Sequence, residues 1–158
     1  EDLKEAKPGI KFSSDFIIGY PGESESDFNQ TLSLIEKVKF INSYSFVYSS
    51  RPGTPASKLA DVDLSVAKKR LTKLQLILEK NNSKYKEGFL EKSVEVLFEN
   101  KLHKQDKYFG RDKFLNSVIV QSEKDLTGQI LDIKINAFNH NSLFGIISSK
   151  KKEILQLN

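Results

Sequence analysis

DFIIGYPGES, residues 15–24, decides how the first half of the chain is read. An apolar run opens on an aspartate and closes on Gly-Tyr-Pro-Gly-Glu-Ser. With Phe12–Ser14 it reads as one strand over 12–20, apolar enough to be covered on both faces, with Asp15 as a buried-looking carboxylate. Gly19 and Gly22 let a ligand or loop approach the backbone closely, and Pro21 stiffens the exit. Ser24 and Asp27 fit a capping box that opens a helix. Phe28, Leu32, Ile35 and Lys39 follow at helical spacing, with Leu34 and Val38 widening the apolar face. SYSFVY, residues 43–48, alternates and reads as a second strand. Strand, crossover helix and strand make a parallel βαβ unit.

Beyond that unit, SSRPGTPASK (49–58) is loop-like. Ser65 is placed to cap a further helix with Leu71, Leu74 and Leu78 as its stripe, ending near Asn81-Asn82 or at the latest at Gly88. The period then changes. SVEVLFE (93–99), SVIVQ (117–121), GQILDIKI (128–135) and LFGIIS (143–148) predict four or five short strands, hence a small antiparallel barrel. Residues 101–113 read as a loop between them. The expected organisation is an α/β piece over 1–84, a β-barrel over 85–150 and a tail over 151–158.

Composition sets bounds. Of 158 residues, 38% are hydrophobic and 29% charged, a soluble globular mixture. No apolar run approaches a membrane span and no signal peptide opens the chain. With no cysteine, the chain has neither a disulfide framework nor a cysteine metal site, and a reducing, cytoplasmic setting is the default. The net charge of +4 is mild. Its location says more. Residues 65–88 hold seven Lys/Arg against two Glu, and 101–113 hold five against two Asp. Both read first as solvated faces. His103 and His140 lack partners at metal-ligand or nucleophile spacing, and no P-loop, GxGxxG or Ser/His/Asp arrangement is present. Two parallel strands leave both edges open, and EDLKEAKPGI reads as the end of a helix. Together they predict an N-terminal portion upstream of Glu1.

DFIIGYPGESESDF, then YSFVYSSRPGTPASKL, resembles the late part of the radical SAM domain of methylthiotransferases. The resemblance is to the MiaB type, which adds a methylthio group to prenylated adenosine in tRNA. VEVLFEN, FGRDKFLNSVIV and GQILDIKINAFNHNSLFGII resemble the TRAM domain, an OB-like RNA-binding barrel, that ends these enzymes. The resemblance implies a parent with S-adenosylmethionine and two [4Fe–4S] clusters, one held by a CxxxCxxC motif. Both clusters must then lie on chain upstream of this cysteine-free piece, which is expected to be inactive alone. It also implies part of the S-adenosylmethionine wall at the carboxyl ends of the two strands. There Asp15 would accept from ribose hydroxyls, and Ile17 to Gly19 would lie along the cofactor. Tyr48 and Arg51 come to the same edge, with Glu23 a weaker candidate. Arg51 could meet the methionine carboxylate, an RNA phosphate or a structural acid such as Asp15.

Relatives that modify a ribosomal-protein aspartate tend to carry an acid near Arg51-Pro52, so an RNA substrate fits better. Relatives acting on threonylcarbamoyl-adenosine in tRNA stay open, as does a free-standing RNA-binding module. For RNA, the expected contacts are Lys104, Lys107, Phe109, Arg111, Lys113 and Asn116, with Tyr108 as a second exposed ring. Gly110-Arg111 with Asn116 matches the Gly-Arg…Asn pattern of TRAM domains. The target is the tRNA anticodon loop, and the other partner is the upstream part of the same enzyme.

Overall fold

The computed structural model describes residues 2–103 and 106–148. They form two compact units that meet in sequence at Asn82 and Ser83.

In the first unit a short helix α1 (Asp2–Ala6) precedes β1 (Asp15–Ile18), α2 (Glu25–Val38), β2 (Tyr44–Val47), a 3-10 turn (Pro55–Lys58) and α3 (Leu64–Glu87). The βαβ unit is present: β1 and β2 pair in parallel, Asp15 opposite Tyr44 and Ile17 opposite Phe46. The capping box closes as expected, with Ser24 Oγ accepting from Asp27 N–H and the Asp27 carboxylate accepting from Ser24 N–H. Phe16 and Ile18 point to one face, where they pack with Phe28, Leu32 and Ile35 of α2 and Leu74 and Leu78 of α3.

Four expectations are corrected here. β1 is only four residues long, and its faces alternate exposed and buried, so it is not covered on both sides. The face carrying Asp15, Ile17, Tyr44 and Phe46 is open, and Asp15 is an exposed carboxylate. Leu34 also faces outward, leaving α2 a narrower apolar stripe. Asp63, not Ser65, caps α3: its carboxylate accepts from the N–H groups of Ser65 and Val66 at 2.9 and 3.1 Å. An aspartate one residue before the helix reaches those free donors directly, whereas Ser65 already lies in the first turn.

The second unit is a closed five-stranded barrel in the order β3-β4-β5-β7-β6. Its strands are β3 (Ser93–Lys101), β4 (Lys107–Asp112), β5 (Ser117–Gln121), β6 (Ile130–Phe138) and β7 (Ser142–Ile147). Val96, Phe98, Tyr108, Val118, Val120, Leu126, Ile133, Ile135 and Leu143 fill it. Closure through β3 and β6 leaves no free sheet edge. Register shifts at Phe98/Asn100 and Ile135/Ala137 bend β3 and β6.

Three further corrections concern the barrel. It is not wholly antiparallel, because β5 and β7 pair in parallel. The stretch read as a loop contains β4, whose Gly110 packs where a Cβ would lie 2.5 Å from the Leu97 carbonyl oxygen. Tyr108, expected on the surface, is 3% exposed and part of the core. The expected tail and Lys104 lie outside the described residues.

Candidate functional site

The carboxyl ends of β1 and β2 make the first candidate site. Gly19 leaves the strand with φ +74°, a left-handed conformation that L side chains rarely adopt. A Cβ there would also stand 2.8 Å from Ala67 Cβ of α3. Glycine is therefore needed for close approach, but the approaching group is α3. Glu23 then ties the turn: its Oε2 accepts from Gly19 N–H at 3.0 Å and from Arg70 Nη1 at 2.8 Å. Arg70 also donates to the Glu23 carbonyl at 3.0 Å and to Glu25 at 3.0 Å. Burial disfavours the Arg70 charge, yet the hydrogen bonds and charges of Glu23 and Glu25 outweigh it and hold the guanidinium pKa above its ordinary value. Arg70 sits inside a run of basic residues, and nothing in the local sequence sets it apart from them.

Around this turn, Tyr48 N–H donates to the Ile18 carbonyl at 2.8 Å, carrying the strand pairing one step further. Its ring meets Tyr20 edge-on at 5.2 Å. Arg51 is exposed, and its carbonyl closes a turn by accepting from Thr54 Oγ1 at 2.8 Å. Among the described residues no ion pair joins Arg51 to Asp15. The structure separates the expected groups: Asp15 opens β1 opposite Tyr44, at the amino ends of both strands, whereas Gly19, Tyr48 and Arg51 follow their carboxyl ends, with Ile17 exposed between. An exposed carboxylate, an apolar strand face and an exposed guanidinium are the kinds of group that an extended ligand bearing hydroxyls and a carboxylate requires, spread here along the open face of the sheet. An iron–sulfur cluster does not fit this chain: it has no cysteine, and no group of three metal-binding side chains occurs among the described residues.

The second candidate site is the outside of the barrel. Along β4, Tyr108, Gly110 and Asp112 point inward, so Lys107, Phe109 and Arg111 form the outer row. The Arg111 guanidinium lies 5.6 Å from the Phe109 ring centre and 3.3 Å from Glu99. Lys113 is exposed and sits 5.1 Å from the Phe114 ring. Across the sheet, Phe109 lies abreast of Ile119, and Ile119 abreast of Phe144, all half-buried. Ile119 and Phe144 were not singled out from sequence, although strand alternation places them on this face.

Asn116 is elsewhere. It is 2% exposed, donating from its side chain to Asp112 at 2.8 Å and to Tyr85 Oη at 3.0 Å. Burial, with the nearby Asp112 charge, pushes the Tyr85 phenol up to about 12 against the opposing Asn116 hydrogen bond. Lys86, also buried, donates to the carbonyls of Asn139 and His140, and burial lowers its pKa. No helix among the described residues is long and apolar enough to cross a membrane.

No protein-family model matches the chain. It is 48% identical over 154 residues to tRNA-2-methylthio-N(6)-dimethylallyladenosine synthase of Pelagibacter ubique, which covers 96% of this chain and 34% of that protein. It is 43% identical over 144 residues to the protein of that name from Ruthia magnifica, covering 90% and 32%. With the Agrobacterium fabrum protein of that name it shares 36% over 149 residues, covering 94% and 33%. The chain spans about a third of the length of these curated relatives. Along nearly its whole length the chain is thus similar to a segment about one third as long as the proteins named tRNA-2-methylthio-N(6)-dimethylallyladenosine synthase.

Proposed function

We propose that this chain is the part of such a synthase that flanks S-adenosylmethionine and docks the tRNA anticodon loop. The parent adds a methylthio group to C2 of a prenylated adenosine, in the cytoplasm, with two [4Fe–4S] clusters held on other parts of its chain. The observation that carries this reading is the 48% identity running over 154 residues, through both units, to a relative of that name.

Bound S-adenosylmethionine supplies the radical chemistry of this enzyme class. This chain's own residues bind and orient. Asp15 accepts from ribose hydroxyls, Ile17 and the backbone to Gly19 cover the nucleoside, Tyr48 borders it and Arg51 pairs with a carboxylate or phosphate. The Glu23–Arg70 pair fixes the turn that carries Gly19. On the barrel, Lys107, Arg111 and Lys113 neutralise phosphates, while Phe109 stacks on an unpaired base. Asn116 acts from below by holding the turn that follows β4.

RNA binding by this chain tests the reading. A short RNA stem–loop with an adenosine-rich loop is expected to bind with salt-dependent affinity. Phe109→Ala is expected to weaken the loop RNA by roughly tenfold, on the scale of about 1–3 kcal/mol per stacked base. A fully paired duplex should respond little to that change. Equal response of loop and duplex would remove the stacking role, and no RNA binding at all would overturn the docking role of the chain.

A further inference from the structure

The chain's positive charge is concentrated on α3. Residues 65–88 carry an excess of five positive charges, more than the +4 of the whole chain, so the remainder is nearly balanced. Two of the seven basic side chains there are occupied internally: Arg70 by Glu23 and Glu25, Lys86 by two carbonyls. The other five, Lys68, Lys69, Lys73, Lys80 and Lys84, are exposed, Lys73 with its ammonium 5.7 Å from the Phe28 ring centre. Among the described residues no ion pair joins any of them to an acid, whereas Lys101, Arg111 and Lys134 on the barrel are each paired.

Lys69, Lys73, Lys80 and Lys84 recur at intervals of four, seven and four residues, which puts them on one side of the helix. At a rise of about 1.5 Å per residue the row is about 22 Å long, with steps of about 6 Å inside each pair. Thr72, Leu76 and Ser83 lie among them on that side, and the first acid on it is Glu87. Each lysine pair four residues apart repels by about 0.2–0.5 kcal/mol. A surface serving solubility alone intersperses both signs; this row does not.

We propose that this lysine row is a second RNA contact, a track for the sugar–phosphate backbone, in addition to the residues proposed on the barrel. The proposal rests on the tRNA-docking reading above. Ammonium groups on flexible stems suit a line of evenly repeated point charges and need no directional fork. A membrane surface is the poorer fit, because a helix lying on lipid must turn an apolar face to it. In α3 that face, with Ala67, Leu74 and Leu78, is already buried.

The test uses the 158-residue chain, a labelled RNA stem–loop and a salt series. Changing Lys69, Lys73, Lys80 and Lys84 together to Gln keeps good helix formers in place. The expected result is a loss of about tenfold or more in affinity. The slope of log affinity against log salt should fall by about 3, at roughly 0.7–0.9 for each phosphate no longer neutralised. Helicity by circular dichroism should be unchanged. A control with the same charge removed from the exposed Lys4, Lys7, Lys37 and Lys58 should keep most of the slope. Equal loss in both variants overturns the track in favour of bulk charge, and an unchanged slope in the α3 variant overturns it outright. Competition by polyglutamate as effective as by RNA would assign the row to an acidic protein instead. In those three cases the docking reading stands; absence of RNA binding by the unmodified chain overturns both.

Discussion

At Gly19 two independent constraints meet, a positive φ and a close approach to Ala67. Gly19→Ala is expected to destabilise the first unit by about 2–4 kcal/mol, combining backbone strain with overpacking. Urea unfolding followed by α-helical circular dichroism checks it; a change below about 1 kcal/mol would mean the turn relaxes freely. Arg70→Ala leaves the Glu23 carboxylate, 11% exposed, without its cation. The expected loss is about 3 kcal/mol, the lower end for a broken buried pair, since Glu25 reaches solvent. A Glu23→Gln/Arg70→Met double variant should recover part of it. The need for a glycine after β1 was legible in sequence, because Gly-Tyr-Pro-Gly is turn chemistry. That Ala67 and Arg70 are what the turn meets was not, since both lie more than forty residues away.

Among the elements, the caps were partly legible. The Ser24–Asp27 box is local chemistry and reads directly. Ser24→Ala is expected to cost about 1 kcal/mol, measurable as a lower urea midpoint with an unchanged slope. The Asp63 cap is less legible because the helix begins two residues earlier than a cap at Ser65 implies. β4 was read as a loop for a different reason. Its inward residues include Gly110 and Asp112, so hydrophobic alternation fails, and only the partner strand shows why a glycine belongs there. The Asp112–Asn116–Tyr85 network at its end makes a pH prediction. The fold favours the neutral phenol of Tyr85, raised to about 12. Its contribution is therefore complete below the ordinary value near 10 and is lost as pH rises through the folded value. Stability should fall by about 2–3 kcal/mol between about pH 10 and 12, at about 1.4 kcal/mol per pH unit of displacement. The fall should be absent in Tyr85→Phe; Tyr85→Phe showing the same fall would assign it to other groups.

Taken whole, the chain holds two units of unequal closure. The barrel pairs every strand on both sides around nine buried residues. The first unit has a two-stranded sheet with Ile17, Tyr44 and Phe46 each more than half exposed on one face. Amide exchange is expected to show the slowest protons in β3 to β7, with β1 and β2 exchanging through openings of lower free energy. Equal protection in both sheets would contradict this. Residue order was enough to read the succession of elements, the capping of α2, most of the apolar stripes and the likeness to these synthases. These depend on spacing and local hydrogen bonding, which act over a few positions. Long-range packing was needed to settle which face of β1 is open, that β5 and β7 run parallel, and that Tyr108 and Asn116 turn inward while Phe109 and Arg111 turn out. It also withdraws Arg70 and Lys86 from the α3 charge run while the other five lysines stay in solvent. Burial and partner identity are set by the meeting of distant segments, and a one-residue change in strand register reverses which side chains face the core.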